Sequence, residues 1–189
     1  MLRNELNIAV RFTLLTTVLL GIFYPLAVTG LGHAFLRKQA DGSLIVHNSQ
    51  VIGSALIGQN FSGAQYFHGR PSAAGNGYDA TSSGASNFAA SNQKLVTRIN
   101  GDITTYSAEN KGTPVPIDLV TASGSGLDPD ISPAAALFQV VAVANARHLP
   151  VETVRDLVQH HVQGRQFGLL GEERVNVLLL NLDLDRLGR

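Results

Sequence analysis

The stretch FTLLTTVLLGIFYPLAVTGLGHAFL, Phe12 to Leu36, runs for twenty-five residues without one Asp, Glu, Lys or Arg. As an α-helix it spans about 37 Å, more than the roughly 30 Å of hydrocarbon in a bilayer. Arg3 and Arg11 precede it and Arg37 and Lys38 follow, so each end carries cations that can snorkel to headgroups. Two other readings fit the pattern poorly. A cleaved signal peptide has an apolar core of about 7 to 15 residues ending at an A-x-A-like site, and no such site occurs near Leu31 to Ala34. A buried core helix keeps a polar face, and this run is apolar all round. The stretch is read as a membrane anchor: residues 1–11 form an N-terminal tail, 12–36 a transmembrane helix, and 37–189 one extramembrane domain.

Inside the anchor, Thr13, Thr17 and Gly21 recur at i, i+4 and i+8, a strip of small residues that lets another membrane helix approach closely. Pro25 removes a backbone donor near mid-span, a defect that neighbouring helices usually compensate. These four residues predict packing against partner helices. One span cannot enclose a pathway, so any part in transport is played beside other subunits or as an oligomer. Fourteen Lys+Arg balance fourteen Asp+Glu, which leaves no electrostatic footprint for nucleic acid. With no cysteine, disulfides, zinc-thiolate sites and thiol nucleophiles are excluded. The two flanks tie in basic side chains, so the positive-inside rule leaves the orientation open.

Beyond the anchor, Ser43 to His47 and Val51 to Ile57 predict a hairpin turning at Asn48 to Gln50. Residues 58–92 are rich in Gly, Ser, Ala and Asn but carry Phe61, Tyr66, Phe67, Tyr78 and Phe88. Disordered segments are poor in aromatics, so this is read as an ordered irregular surface pinned to a core. Gln93 to Ile103 predicts a helix capped by Ser91 or Asn92, with Gly101 a candidate end. Pro114 to Ala122 predicts a strand. Ser132 and Pro133 suit the N-cap and first position of a helix through Arg147. Leu149-Pro150 separates it from a second helix over Val151 to Val162, giving a helical hairpin. Val175 to Asp185 alternates and predicts a closing strand. The class is α+β.

Catalytic motifs are scarce: G-x-S-x-G, the phosphate-loop pattern and H-E-x-x-H do not occur. Ser123, Gly124, Ser125 and Gly126 form a glycine turn that either presents backbone donors to an anion or serves simply as a turn. Asp128 and Asp130 read as turn residues before a helix. His160 and His161 are adjacent on a helix and point to different faces, which does not suit a shared metal. Arg70-Pro71-Ser72 sets a guanidinium beside fixed backbone, suited to clamping the long loop onto its own domain or to holding a partner's carboxylate.

In order along the chain, Tyr24-Pro25-Leu26, GSALIGQNF (53–61), YFHGRPS (66–72), VPIDLVTASGSGLDPDISP (115–133) and RVNVLLLNL (174–182) resemble the C subunit of Kdp-type potassium-transporting ATPases over nearly the whole chain. The resemblance implies a non-catalytic inner-membrane subunit beside a channel-like potassium-binding subunit and a P-type ATPase subunit, with its domain periplasmic. It also implies support of assembly and coupling, and a catalytic-chaperone role that raises the ATP affinity of the hydrolysing subunit. Gln139 matches a glutamine proposed as a nucleotide contact, and Gln59, Phe61, Arg70, Pro71 and Ser72 fall in matched segments as structural or interface candidates. The chain departs from the family at Ala142, where an arginine is frequent, and at Phe88-Ala89-Ala90. ATP lies in the cytoplasm, so a domain outside the membrane cannot touch it; coupling through helix packing and the outer face of the potassium pathway is the preferred arrangement. The alternatives are a membrane-tethered nucleotide-binding protein with a cytoplasmic domain and a single-span surface protein.

Overall fold

A computed structural model describes residues 2–47, 49–110 and 112–187. The chain divides into two compact units, Met1–Ile52 and Gly53–Arg189.

In the first unit one continuous helix covers Leu2–Phe35, so helical structure reaches back through the stretch expected as a tail. The ladder widens to a π-helical turn at Leu19–Phe23 and returns to α-helix at Tyr24–Phe35, with Pro25 in its first turn. There Tyr24 N–H pairs with the Leu19 carbonyl, five residues back, and Pro25 follows without an N–H to give. A single turn at Arg37–Ala40 follows. Asp41 there faces His33 at 3.3 Å and Arg37 at 3.8 Å. The expected hairpin forms between β1 (Leu44–His47) and β2 (Gln50–Ser54). Asn48 of its turn lies outside the described residues.

The second unit is built on a helical hairpin, Pro133–Arg147 and Val151–His161. Ser132 caps the first helix by accepting from Ala135 N–H at 3.2 Å, as its sequence predicts. The break falls at His148, whose left-handed φ of 56° closes the helix before Leu149-Pro150. Three short antiparallel strands lie against the helices: β3 (Asp130–Ile131), β4 (Val162–Gln163) and β5 (Arg174–Asn176), in the order β3-β5-β4. Buried Phe67, Val140, Val154, Val158, Val175 and Leu180 belong to one core. The mixture of helix and small sheets is the α+β class expected.

Three expectations need correction. The closing segment is not a strand to Asp185: β5 ends at Asn176, and Val177–Leu187 is a helix. Asn176 Oδ1 accepts from Leu179 N–H at 3.1 Å at the start of that helix. Val177, Leu180, Asn181 and Leu184 then fall on its buried face at helical spacing. Leucine favours helix and Val177 is the one β-branched residue of Val177–Leu187, so the apparent alternation lost to propensity and burial. Pro114 to Ala122 is no strand either. Pro116 leads into a 3-10 turn at Ile117–Leu119, because two prolines strip donors that a ladder needs. The Gln93–Glu109 helix runs straight through Gly101. Asn92 caps its start, accepting from Lys94 N–H at 2.9 Å.

Candidate functional site

The loop of residues 58–92 has only a 3-10 turn at Ala80–Ser82 for regular structure, yet it is fixed at its centre by two buried amides. Asn181 Oδ1 accepts from Phe67 N–H and its Nδ2 donates to the Phe67 carbonyl, both at 2.9 Å. Gln139 Oε1 accepts from His68 N–H at 2.8 Å and its Nε2 donates to the His68 carbonyl at 3.1 Å. Successive residues of an extended chain point their polar groups to opposite sides. Two helices therefore grip one strand-like dipeptide from opposite sides, each amide acting as a neighbouring strand would. Gln139 Nε2 also donates to the Ala135 carbonyl at 3.2 Å. Phe67 fills the core between these clamps and is 0% exposed.

A second fixing point lies around Arg70. Its guanidinium meets Asp128 Oδ2 at 3.0 Å, the Thr121 carbonyl at 3.3 Å and the Ala122 carbonyl at 3.4 Å. Pro71 follows, and Ser72 Oγ donates to the Gly126 carbonyl at 2.6 Å while accepting from Tyr78 N–H at 2.8 Å and Ala74 N–H at 3.2 Å. The Tyr78 hydroxyl donates back to the Arg70 carbonyl at 2.5 Å. Burial, and secondarily the charge of Asp128, push that phenol from 10.0 up to about 12.

The Ser123–Gly126 turn is engaged in the same network. Ser123 Oγ accepts from Gly126 N–H at 2.9 Å and Ser125 Oγ from Leu127 N–H at 3.1 Å. The Ser125 carbonyl receives Gly84 N–H at 2.8 Å and Ser83 Oγ at 3.0 Å. Two of the donors that an anion would use are thus taken by the turn's own hydroxyls, and its carbonyls hold the loop. Gly126 has a φ of +67°, and a Cβ there would stand 2.7 Å from Ala74 N and the Gly84 carbonyl, so the approach of loop to turn requires glycine.

Of the remaining sequence candidates, Phe61 packs its ring on Tyr66 at 5.5 Å between centroids, and the Gln59 amide lies over Gly53 where a Cβ would collide. Thr13, Thr17 and Gly21 share the Leu2–Phe35 helix, where Gly21 sits inside the π turn. His161 Nε2 pairs with Asp183 at 2.9 Å, whereas His160 Nδ1 meets the Asp156 carbonyl one turn back, at 2.7 Å. Sequence reasoning passed over Asn181 and Asp128 as loop clamps. The signal for Asn181 was a single amide inside a leucine run, a polar group that burial obliges to find partners. It also passed over the tip of the β4–β5 connection, where Phe167 and Leu169 are 92% and 80% exposed.

A cleft of ≈ 300 Å³ opens beside His68, Arg70, Tyr78, Asp102 and Tyr106. A wider one of ≈ 710 Å³ lies along Asp118, Asp128, Asp130, Arg165 and Arg174. Burial first, partly offset by the Asn176 hydrogen bond, raises Asp130 above the usual carboxylate range, and Arg174 pairs with it at 3.2 Å. The side chains at these clefts are chiefly engaged with one another. Among the described residues no group of three His, Cys, Asp or Glu is placed to share a metal ion.

The chain thus combines one helix long and apolar enough to cross a membrane with a small α+β domain whose polar side chains mainly hold its own loops. A family model described as K+-transporting ATPase, c chain, matches residues 6–186. The chain is 58% identical over 185 residues to the potassium-transporting ATPase KdpC subunit of Acidobacterium capsulatum, covering 97% of this chain and 99% of that one. It is 52% identical over 184 residues to the KdpC subunit of Koribacter versatilis, covering 97% and 95%, and 50% over 189 residues to that of Mycobacterium tuberculosis, covering 98% and 100%. The chain belongs to the KdpC family, the c chains of K+-transporting ATPases.

Proposed function

We propose that this chain is a non-catalytic subunit that supports assembly and coupling of ATP-driven potassium uptake. It sits in the bacterial inner membrane beside a channel-like potassium-binding subunit and a P-type ATPase subunit, with its α+β domain on the periplasmic side. The observation that carries this reading is the Leu2–Phe35 helix, 34 residues long with a mean hydropathy of 1.9 and 0% burial across its most apolar window. A helix so apolar needs lipid or other helices around it, and a single span gains a role in transport only through neighbours.

The effect on ATP affinity that the family resemblance implies is assigned here to conformation rather than to contact. The Gln139 amide is engaged by both its oxygen and its nitrogen on His68, and it reaches a nucleotide only by abandoning that clamp. The domain is then a rigid body that biases the larger subunits through the helix and through its outer surface. Affinity purification of the chain from native membranes in mild detergent tests the reading. The larger pump subunits are expected with it, and potassium-stimulated ATP hydrolysis only in the assembled material. Recovery of the chain alone from gently solubilised membranes would overturn it.

A further inference from the structure

We propose that the tip of the β4–β5 hairpin, Phe167 to Leu170, is a docking knob for an apolar pocket edged by Lys or Arg on the extramembrane surface of a partner subunit. The inference rests on the accessory-subunit reading above and adds the place and chemistry of one contact. Gln166 and Leu170 close the tip with two backbone hydrogen bonds of 2.9 Å, one in each direction. Between them Phe167 holds a φ of 54° and Gly168 one of 73°. Glycine adopts such angles freely, but a bulky side chain is rarely found there. At 92% exposure the Phe167 ring has almost no packing inside the chain to offset that strain, and Leu169 and Leu170 beside it are exposed as well. Large apolar side chains on a closed turn make a preorganised surface, which loses little freedom on binding. Strain that nothing inside the chain offsets points to a contact outside it.

Charge identifies what covers the tip. The base of the hairpin, Arg165 and Glu172 to Arg174, lines one side of the ≈ 710 Å³ cleft. The arginines of that cleft are matched: Arg165 with Glu172 at 3.2 Å, Arg174 with Asp130 at 3.2 Å and Arg70 with Asp128 at 3.0 Å. Asp118 and Glu173 remain on the same lining, Asp118 accepting from Ser132 N–H at 2.7 Å, and among the described residues neither has an ion pair. The knob therefore stands beside an excess of negative charge, which a pocket with a basic rim complements. A bilayer carrying anionic headgroups repels the same excess. A second copy joined across a two-fold axis would set this acidic edge against itself.

The test uses the full chain co-expressed with its partner subunits and purified in mild detergent. Phe167→Gly relaxes the backbone while removing the ring, so the thermal midpoint of the chain is expected to hold. Recovery of partner subunits is expected to fall about tenfold, as on truncating an interface anchor. A residue of purely local importance would shift the midpoint and leave recovery alone. Leu169→Ser is expected to give the same loss, and it carries the test if Phe167→Gly fails to accumulate. Glu173→Lys reverses a charge beside the knob and is expected to lower recovery about threefold, a loss that shrinks as salt screens the rim. A photo-cross-linking residue at Gln166 is expected to capture an extramembrane segment of a partner subunit containing Lys or Arg. Full recovery with both tip variants or with Glu173→Lys, or cross-links only to lipid or to a second copy of this chain, overturns the inference. Wild-type chain arriving without partners would instead sink the broader reading, so the two failures are distinguishable.

Discussion

Gln139 and Asn181 show how much one amide does when both of its ends are used. Each replaces a missing strand for one residue of the loop, and each leaves a backbone N–H and C=O without partners if removed. Leaving a buried polar group unpaired costs about 1–3 kcal/mol. Asn181→Ala, at the drier of the two sites, is accordingly expected to destabilise the fold by about 3 kcal/mol, and Gln139→Ala by about 2 kcal/mol. Thermal unfolding of the detergent-solubilised chain measures both. Gln139→Ala also separates the two roles open to that residue. A clamp predicts a lowered unfolding midpoint with unchanged ATP affinity of the assembled pump wherever the chain stays folded, and a nucleotide contact predicts the reverse. At this scale the sequence was legible where chemistry is local. Ser132, Pro133 and Asn92 act within a few residues of themselves, whereas Gln139 acts on a residue 71 positions away, and no local pattern announces it.

The loop of residues 58–92 behaves as an element although it lacks a ladder. Its aromatics announced order, and Phe67 is buried as that reading requires, while Phe88 is 41% exposed. Tyr78 ties the loop to itself through Arg70, and the shift of its phenol gives a test. Its folded value of about 12 lies above the ordinary 10.0, so the fold favours the neutral hydroxyl. That contribution is complete below pH 10 and is lost as pH rises toward about 12. Denaturant midpoints followed through that range are expected to fall more steeply for the wild-type chain than for Tyr78→Phe; equal slopes would remove Tyr78 from the account. The two mistaken strands belong to the same scale. Proline content and alternation both described segments that suit a pleat, but Val177–Leu187 buries more as a helix against the hairpin, and the 114–122 segment has no ladder to join.

For the whole molecule, orientation follows from the side on which the domain is placed. The chain has no cysteine, so a single introduced one reports without background. Gly164 is exposed, and a Cβ there meets nothing within 4 Å. Gly164→Cys is expected to react with a membrane-impermeant maleimide added to cells with a permeabilised outer membrane. Labelling only after the inner membrane is broken would place the domain in the cytoplasm and revive the nucleotide-binding alternative. The sequence by itself determined the long apolar helix, the hairpin of helices, the α+β class and the family resemblance, because charge-free length, helical spacing and capping chemistry act through neighbours in the chain. Only the tertiary structure decided that the last segment is mainly helical, that the glycine turn and Arg70 face inward on one loop, and that Gln139 and Asn181 close it. Those outcomes depend on which polar groups burial brings together across distant positions, where an unpaired amide or carbonyl costs more than any local preference returns.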